Sequence, residues 1–217
     1  MRKYIAIAIA AAAAVVEGLL AHCSGSIAGV ETTNGVTVVA HASSISVSSP
    51  AFSEVSLCNS AYIPFIDSGL ALATSVGASG KYTFEGLKPG NYSVSIRDRD
   101  RARATIFQEL MVGPESRDSL RSGTLQPMGS LAGIVTSTAQ PGPEILLCLI
   151  GTEYYVLLPG PGRFTFPSLP AGTYELQASI LSTSDTMAVI IIISNSNRKT
   201  VTIAPDSMTI ADTLSVP

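Results

Sequence analysis

Gly80-Lys81-Tyr82-Thr83-Phe84-Glu85-Gly86-Leu87-Lys88-Pro89-Gly90-Asn91-Tyr92 returns later in the chain as Gly162-Arg163-Phe164-Thr165-Phe166-Pro167-Ser168-Leu169-Pro170-Ala171-Gly172-Thr173-Tyr174. A second phrase, Gly25-Ser26-Ile27-Ala28-Gly29-Val30, returns in the same order as Gly129-Ser130-Leu131-Ala132-Gly133-Ile134. Each phrase alternates apolar and polar residues, so the chain carries two copies of one β-rich unit. Tyr82 and Phe84 fall on one strand face, as do Phe164 and Phe166. Tyr92 and Tyr174 follow a tight Pro-Gly or Ala-Gly turn, where a buried ring needs a partner for its hydroxyl.

In the second copy the strands are predicted at 131–137, 144–150, 154–158, 163–166, 173–180, 187–193, 200–203 and 209–214. Their spacing of about ten residues, with Gly, Pro and Ser between them, is the pattern of an antiparallel sandwich. No stretch past residue 23 repeats with a helical period. The expectation is an all-β chain of two tandem antiparallel β-sandwiches preceded by a signal peptide: 1–22 the signal, 23–128 the first sandwich, 129–217 the second. The first copy is longer ahead of the shared phrase. Gly25 to Gly80 spans 55 positions and Gly129 to Gly162 spans 33, a surplus of 22 held mostly in the Ser/Ala-rich segment 41–53 and partly in 59–78. Surplus loops on a repeated scaffold are where binding residues are commonly added.

The amino terminus has the layout of a secretory signal, with Arg2 and Lys3 ahead of an Ala- and Ile-rich run, Ile5 to Leu20, broken by Glu17 and Gly18. Leu19-Leu20-Ala21-His22-Cys23-Ser24 resembles the lipobox of bacterial lipoproteins, with His22 where the family carries Gly or Ala. The resemblance implies cleavage before Cys23, lipidation of Cys23, and membrane attachment through that N-terminal lipid. Ser24 resembles an outer-membrane sorting residue, so an exported outer-membrane lipoprotein facing the periplasm or the cell surface is expected. Removal of residues 1–22 takes Arg2, Lys3 and Glu17 from 13 basic and 16 acidic residues, leaving 11 and 15, a net charge of −4. That balance excludes nucleic acid as a bulk electrostatic partner.

The hairpin phrase and the opening strand together resemble carboxypeptidase-regulatory-like domains, the transthyretin-like (prealbumin-like) β-sandwiches of the carbohydrate-binding-like fold. The resemblance covers nearly all of residues 25–217. It implies a structural role for the repeated motif and, if a ligand is taken, favours a polysaccharide.

The chemistry-bearing residues are few. His41, in a Ser-rich stretch, is the one histidine past the signal and the one conceivable base for a serine nucleophile. No His, Cys or carboxylate cluster has metal-ligand spacing. Catalytic residues, metals and cofactors are therefore not expected. Lys–Asn isopeptide chemistry is not expected either, with Lys199, Lys81 and Lys88 as its few candidate lysines. Cys58 and Cys148 sit at matching offsets from Glu54 and Glu144, so each is read as a buried free thiol in its own core strand.

Arg97-Asp98-Arg99-Asp100-Arg101-Ala102-Arg103 is the one unusual charge pattern. Extended, it aligns Arg97, Arg99, Arg101 and Arg103 on one face, a stripe suited to phosphate or sulfate groups. As a hairpin tip, the same charges are solvated and locally paired. Sugar binding calls for aromatic platforms. The chain has no Trp, so Tyr62, Phe65 and Tyr155 are the candidate contacts; in the Tyr154-Tyr155 pair of a regular strand, one ring must face outward. The resulting expectation is a monomeric, non-catalytic binding or spacer module whose partner is a polysaccharide or another envelope protein. The alternative is protein docking through 188–193, an Ile-rich segment that at a sheet edge invites strand pairing.

Overall fold

A computed structural model of the chain describes residues 34–64, 67, 71–98, 102–114, 118–138, 144–183, 190–192 and 197–217. The signal segment, Cys23, the first-copy phrase at 25–30, Phe65, Arg99 and Arg101 lie outside the described residues.

The first copy contributes β1 (Gly35–Ala40), β2 (Ile45–Ser48), β3 (Glu54–Asn59), β4 (Ala71–Ser75), β5 (Lys81–Phe84), β6 (Gly90–Asp98), β7 (Arg103–Val112), β8 (Ser119–Thr124) and the short β9 (Gln126–Pro127). The second contributes β10 (Gly129–Ser137), β11 (Glu144–Leu149), β12 (Tyr155–Leu158), β13 (Gly162–Leu169), β14 (Gly172–Thr183), β15 (Ile190–Ile192), β16 (Asn197–Ile203), β17 (Met208–Ile210) and β18 (Leu214–Val216). The described chain is all-β, as two tandem sandwiches. In the first, a sheet ordered β5-β2-β1-β8 faces one ordered β4-β3-β6-β7-β9. In the second, β13-β10-β17, with β18 also on β10, faces β12-β11-β14-β15, with β16 also on β14.

Each sandwich has its own core, assembled from inward-facing residues at a period of two. Val36, Val38 and Ala40 of β1 meet Val55 and Leu57 of β3, Phe84 of β5 and Val94 and Ile96 of β6 in the first core. Leu131, Ile145, Leu147, Leu149, Phe164, Phe166, Tyr174 and Leu176 form the second. Burying each Leu, Ile, Val or Phe contributes roughly 1.5–3 kcal/mol, which makes these two clusters the main source of stability. The repeated motif does the same job twice. The Tyr92 hydroxyl donates to the Lys88 carbonyl at 2.8 Å, and the Tyr174 hydroxyl to the Pro170 carbonyl at 2.6 Å. Each phenol satisfies a turn carbonyl four residues upstream, which is the partner its burial requires. Cys58 and Cys148 are buried free thiols at equivalent places on β3 and β11.

Two features differ from the sequence-based expectation. The first concerns the surplus of the first copy, expected as loop. Part of it builds sheet: β2 lies within 41–53 and β4 within 59–78, and β2 forms a hairpin with the preceding β1, Val38 opposite Val47. β2 runs antiparallel to β5, as β10 does to β13, so β2 holds the position of β10 and β1 is an added strand. The second concerns strand direction. β10 pairs in parallel with β17 and β18, where antiparallel pairing throughout was expected. In the first sandwich β1 lies between the corresponding partners, antiparallel to both β2 and β8. One interposed strand thus converts a parallel contact into two antiparallel ones while the flanking strands keep their relative direction.

Candidate functional site: the cleft between the sandwiches

Residues 33–217 form one compact unit, and the two sandwiches meet within it through side chains and turns. On β6, Val94 and Ile96 point into the first core, which sends Ser95 and Arg97 to the outer face of the sheet. Against that face sits the turn joining β11 to β12. The turn is tightly built: Thr152 Oγ1 donates to the Leu149 carbonyl at 2.7 Å and accepts from the Tyr154 amide at 3.2 Å. Gly151 has φ +73°, a left-handed conformation suited to glycine, and its amide donates to the Tyr62 carbonyl of the first sandwich at 3.0 Å. A Cβ at Gly151 would lie 2.8 Å from the Ser60 carbonyl oxygen, so backbone meets backbone there.

The turn delivers Glu153 and Tyr154 to the outer face of β6. Arg97 Nη2 donates to the Tyr154 hydroxyl at 3.2 Å, and that hydroxyl lies 3.2 Å from Ser95 Oγ. The guanidinium carbon is 5.7 Å from the Tyr154 ring centroid, a cation–π arrangement. Burial holds the Glu153 carboxyl above the usual carboxylate range, with the charge of Arg97 and the hydroxyl of Ser56 acting the other way. Burial likewise raises the phenol of Tyr154, and the charge of Glu153 adds to it.

Two clefts open at this junction and share Arg97 and Glu153. One, of about 360 Å³, is lined by Glu54, Ser56, Ser75, Ser95, Arg97 and Glu153. The other, of about 380 Å³, carries Tyr154, Tyr155, Phe166 and Pro167 besides the shared pair. Tyr155 is 46% exposed while Tyr154 packs against the second core, which resolves the pair as strand alternation requires. Tyr62 belongs to the same neighbourhood. Its phenol is raised first by burial and then by Cys58, Asp67, Tyr155 and Glu153. Tyr62, Tyr155 and Arg97, distant in sequence, thus converge on the junction.

Of the four arginines of the stripe, Arg97 and Arg103 are described, and they do not share a face. β6 ends at Asp98 and β7 begins at Arg103, and the two strands pair antiparallel, with Asp98 opposite Arg103 and Arg97 opposite Ala104. Arg97 shares the outer face with Ser95, and Arg103, one register position further along, falls on the opposite face. Arg97 is engaged with Tyr154, and Arg103 also has a partner.

The remaining candidates stand apart. His41 Nδ1 lies 2.9 Å from Asp118 Oδ1 at a partly exposed edge, and no serine hydroxyl bonds to its other nitrogen among the described residues. Lys199 pairs with the Asp212 carboxylate. Burial pushes the Cys58 thiol up to about 12, with Glu153 adding to the effect, and the Cys148 thiol up to about 12 against the opposing charge of Arg198. Neither is a nucleophile at neutral pH. Among the described residues no three His, Cys, Asp or Glu side chains group as a metal site, and no helix is long and apolar enough to cross a membrane. Sequence reasoning missed Glu153, Glu54 and Ser95. The signal available was Glu153 itself, a charge in a short turn between two apolar strands.

No family model matches the chain, and no curated protein matches it. Several solved structures are similar to it at low superposition. The minor pilin GBS52 of Streptococcus agalactiae is 12% identical, with a TM-score of 0.30 over 78% of this chain and 84% of that one. BcpA, the major pilin subunit of Bacillus cereus, is 9% identical, with a TM-score of 0.27 over 85% of this chain and 59% of that one. The Bacillus anthracis TIE protein is 12% identical, with a TM-score of 0.28 over 86% of this chain and 41% of that one.

Proposed function

We propose that the chain is a non-catalytic, exported binding or spacer module of the cell envelope, and that its ligand is a carbohydrate taken up at the junction of the two sandwiches. One observation carries this reading: the exposed ring of Tyr155 stands in the same cleft as Arg97 and Glu153, residues supplied by both sandwiches. A glycan needs an apolar face for its C–H groups and directional donors and acceptors for its hydroxyls, and this cleft supplies both. The twice-repeated hairpin phrase supports placing each sandwich among the carboxypeptidase-regulatory-like, transthyretin-like domains. The lipobox-like segment supports anchoring at the outer membrane through a lipidated Cys23.

The test of the ligand is a glycan array and an envelope-polysaccharide pulldown with the purified full-length chain, wild type beside Tyr155→Ala and Tyr62→Ala. Retained glycan that is lost with Tyr155→Ala supports the reading and places the site. Absence of binding to every glycan sinks it. Metabolic labelling with a radioactive fatty acid tests the anchor, since label must appear on the wild type and not on Cys23→Ala.

A second reading is protein docking by strand addition. β15, within the Ile-rich segment, lies at the end of the strand order of its sheet, paired to β14 through Leu181–Thr183. Residues 188, 189 and 193 of that segment lie outside the described residues. Capture of an envelope protein that is abolished by a proline at Ile191 would favour this reading over the glycan one.

A further inference from the structure

Asn34 is the first described residue, and strand register sets its level in the fold. β1 and β2 run antiparallel with Thr37 opposite Ser48, so Asn34 comes level with the turn after β2, residues 49–53. In that turn the Ser49 amide donates to the Gly80 carbonyl at 2.8 Å, which brings the turn before β5 alongside. Both turns therefore stand at the end of the first sandwich where the chain comes in. That end exposes aromatic rings. Phe52 is 70% exposed and has φ +63°, a conformation rare for a bulky residue. Its neighbours enforce it: the Phe52 amide donates to the Val76 carbonyl at 2.9 Å, the Val76 amide to the Ser53 carbonyl at 2.8 Å, and Ser53 Oγ to the Pro50 carbonyl at 2.8 Å. A strained backbone that holds an apolar ring in water costs stability and adds nothing to the core. Tyr82, at the same end of β5, is 38% exposed, whereas its counterpart in the second copy, Phe164, is 2% exposed. Lys81 beside it is exposed, and Asp98 and Arg103, opposite one another at this end of the other sheet, add no net charge. Neither cleft of the junction is lined by Phe52 or Tyr82.

We propose that this end of the first sandwich is a membrane-contact surface. The rings of Phe52 and Tyr82 sit at the boundary between headgroups and acyl chains of a phospholipid bilayer, and the Lys81 ammonium lies among the headgroups. The inference rests on the lipid-anchor reading and adds a second contact to it. Between Cys23 and Asn34 lie ten residues, 24–33, which span at most about 35 Å when extended, so a lipid on Cys23 holds this end close to the bilayer. The tether makes the second contact intramolecular, and two rings of modest affinity then suffice. Exposed aromatics flanked by a lysine suit the interfacial zone, where the rings meet hydrocarbon and the ammonium stays in water.

The chain has no Trp, so Phe52→Trp, Tyr82→Trp and Met111→Trp each install a single fluorescent reporter. Met111 is exposed at the far end of β7 from Arg103 and serves as the control. Each variant, checked for folding by its melting curve, is expressed with radioactive fatty acid. The processed chain is reconstituted into vesicles of phosphatidylethanolamine and phosphatidylglycerol, with plain or brominated acyl chains. The expected result is a loss of emission in brominated vesicles for Phe52→Trp and Tyr82→Trp, and none for Met111→Trp. Tyr82→Trp carries the test alone if Phe52→Trp does not fold. A labelled chain whose reporters at 52 and 82 keep their emission overturns the inference and leaves the anchor reading standing. Equal quenching at all three positions overturns the placement. Blue-shifted emission at 52 that bromine leaves unquenched means that a second copy of the chain covers the turn, and overturns the inference. A chain that takes up no label overturns the anchor reading and the inference together.

Discussion

The two sandwiches are built from the same phrases, and they differ in where each spends its remaining residues. The first adds a strand, β1, and carries Ser56, Ser95, Glu54 and Arg97 on the outer face of β3 and β6. The second has no added strand and puts a charged and an aromatic residue, Glu153 and Tyr154, into the turn after β11. The polar face of one receives the turn of the other. Related modules thus become a receptor face and an insert, and a cleft with both charge and aromatic character lies between them.

Several experiments would break or sharpen this comparison. The largest effects belong to the cores. Leu57→Ala and Leu147→Ala, at corresponding positions on β3 and β11, should each cost about 2–5 kcal/mol of unfolding free energy in denaturant titrations. If the junction couples the sandwiches, each variant still unfolds in one transition; two separated transitions would show that each core melts alone. Next comes the paired turn tyrosine. Tyr174→Phe leaves a buried carbonyl without its donor and should cost about 1–3 kcal/mol, and Tyr92→Phe, at a less enclosed site, about 0.5–1.5 kcal/mol. Equal losses would mean that burial does not distinguish the two motifs. Smaller again is the junction pair. A double-mutant cycle of Arg97→Ala and Tyr154→Phe should give a coupling of about 0.5–1.5 kcal/mol, and a value near zero would remove Arg97 from the joint.

The smallest effect is one of pH. Burial sets the Glu153 pKa above its usual value. A carboxyl whose folded pKa exceeds its unfolded pKa contributes stability below the unfolded value, and that contribution is lost as pH rises through the folded one. Glu153→Gln carries no such loss. The melting temperature of the variant minus that of the wild type should therefore rise between pH 4 and pH 7. A difference that stays flat would mean that Arg97 and Ser56 fully offset the burial of the charge.

Much of the fold was legible because it rests on local alternation. The repeated phrase located β5, β6, β13 and β14, and the offset from Glu54 and Glu144 located both thiols on equivalent strands. The need of Tyr92 and Tyr174 for a hydroxyl partner followed from their burial alone. The added hairpin was less legible. Ile45-Ser46-Val47-Ser48 does alternate, but the abundance of Ser and Ala around it lowers the apolar contrast on which a period of two depends. The reversal after Asp98 was obscured by a regular Arg/Asp pattern that reads equally well extended or folded back. The junction could not be read at all, because its contacts join residues some 60 positions apart and leave no periodic trace in either copy; Ser95 and Tyr154 are 59 apart.

The pairing of β10 with β17 and β18 has a mechanical consequence. β10 opens the second sandwich and β18 closes it, and they lie side by side in parallel, Val135 opposite Leu214. Tension drawing the start of β10 and the end of β18 in opposite directions slides the two strands along each other and loads their cross-strand hydrogen bonds together. The added strand of the first sandwich places Gly35 opposite Thr124 in an antiparallel pair, so the same tension pulls at one end of the ladder and opens it bond by bond. Under such a load the β1–β8 ladder would peel while the β10–β18 pair would resist in shear.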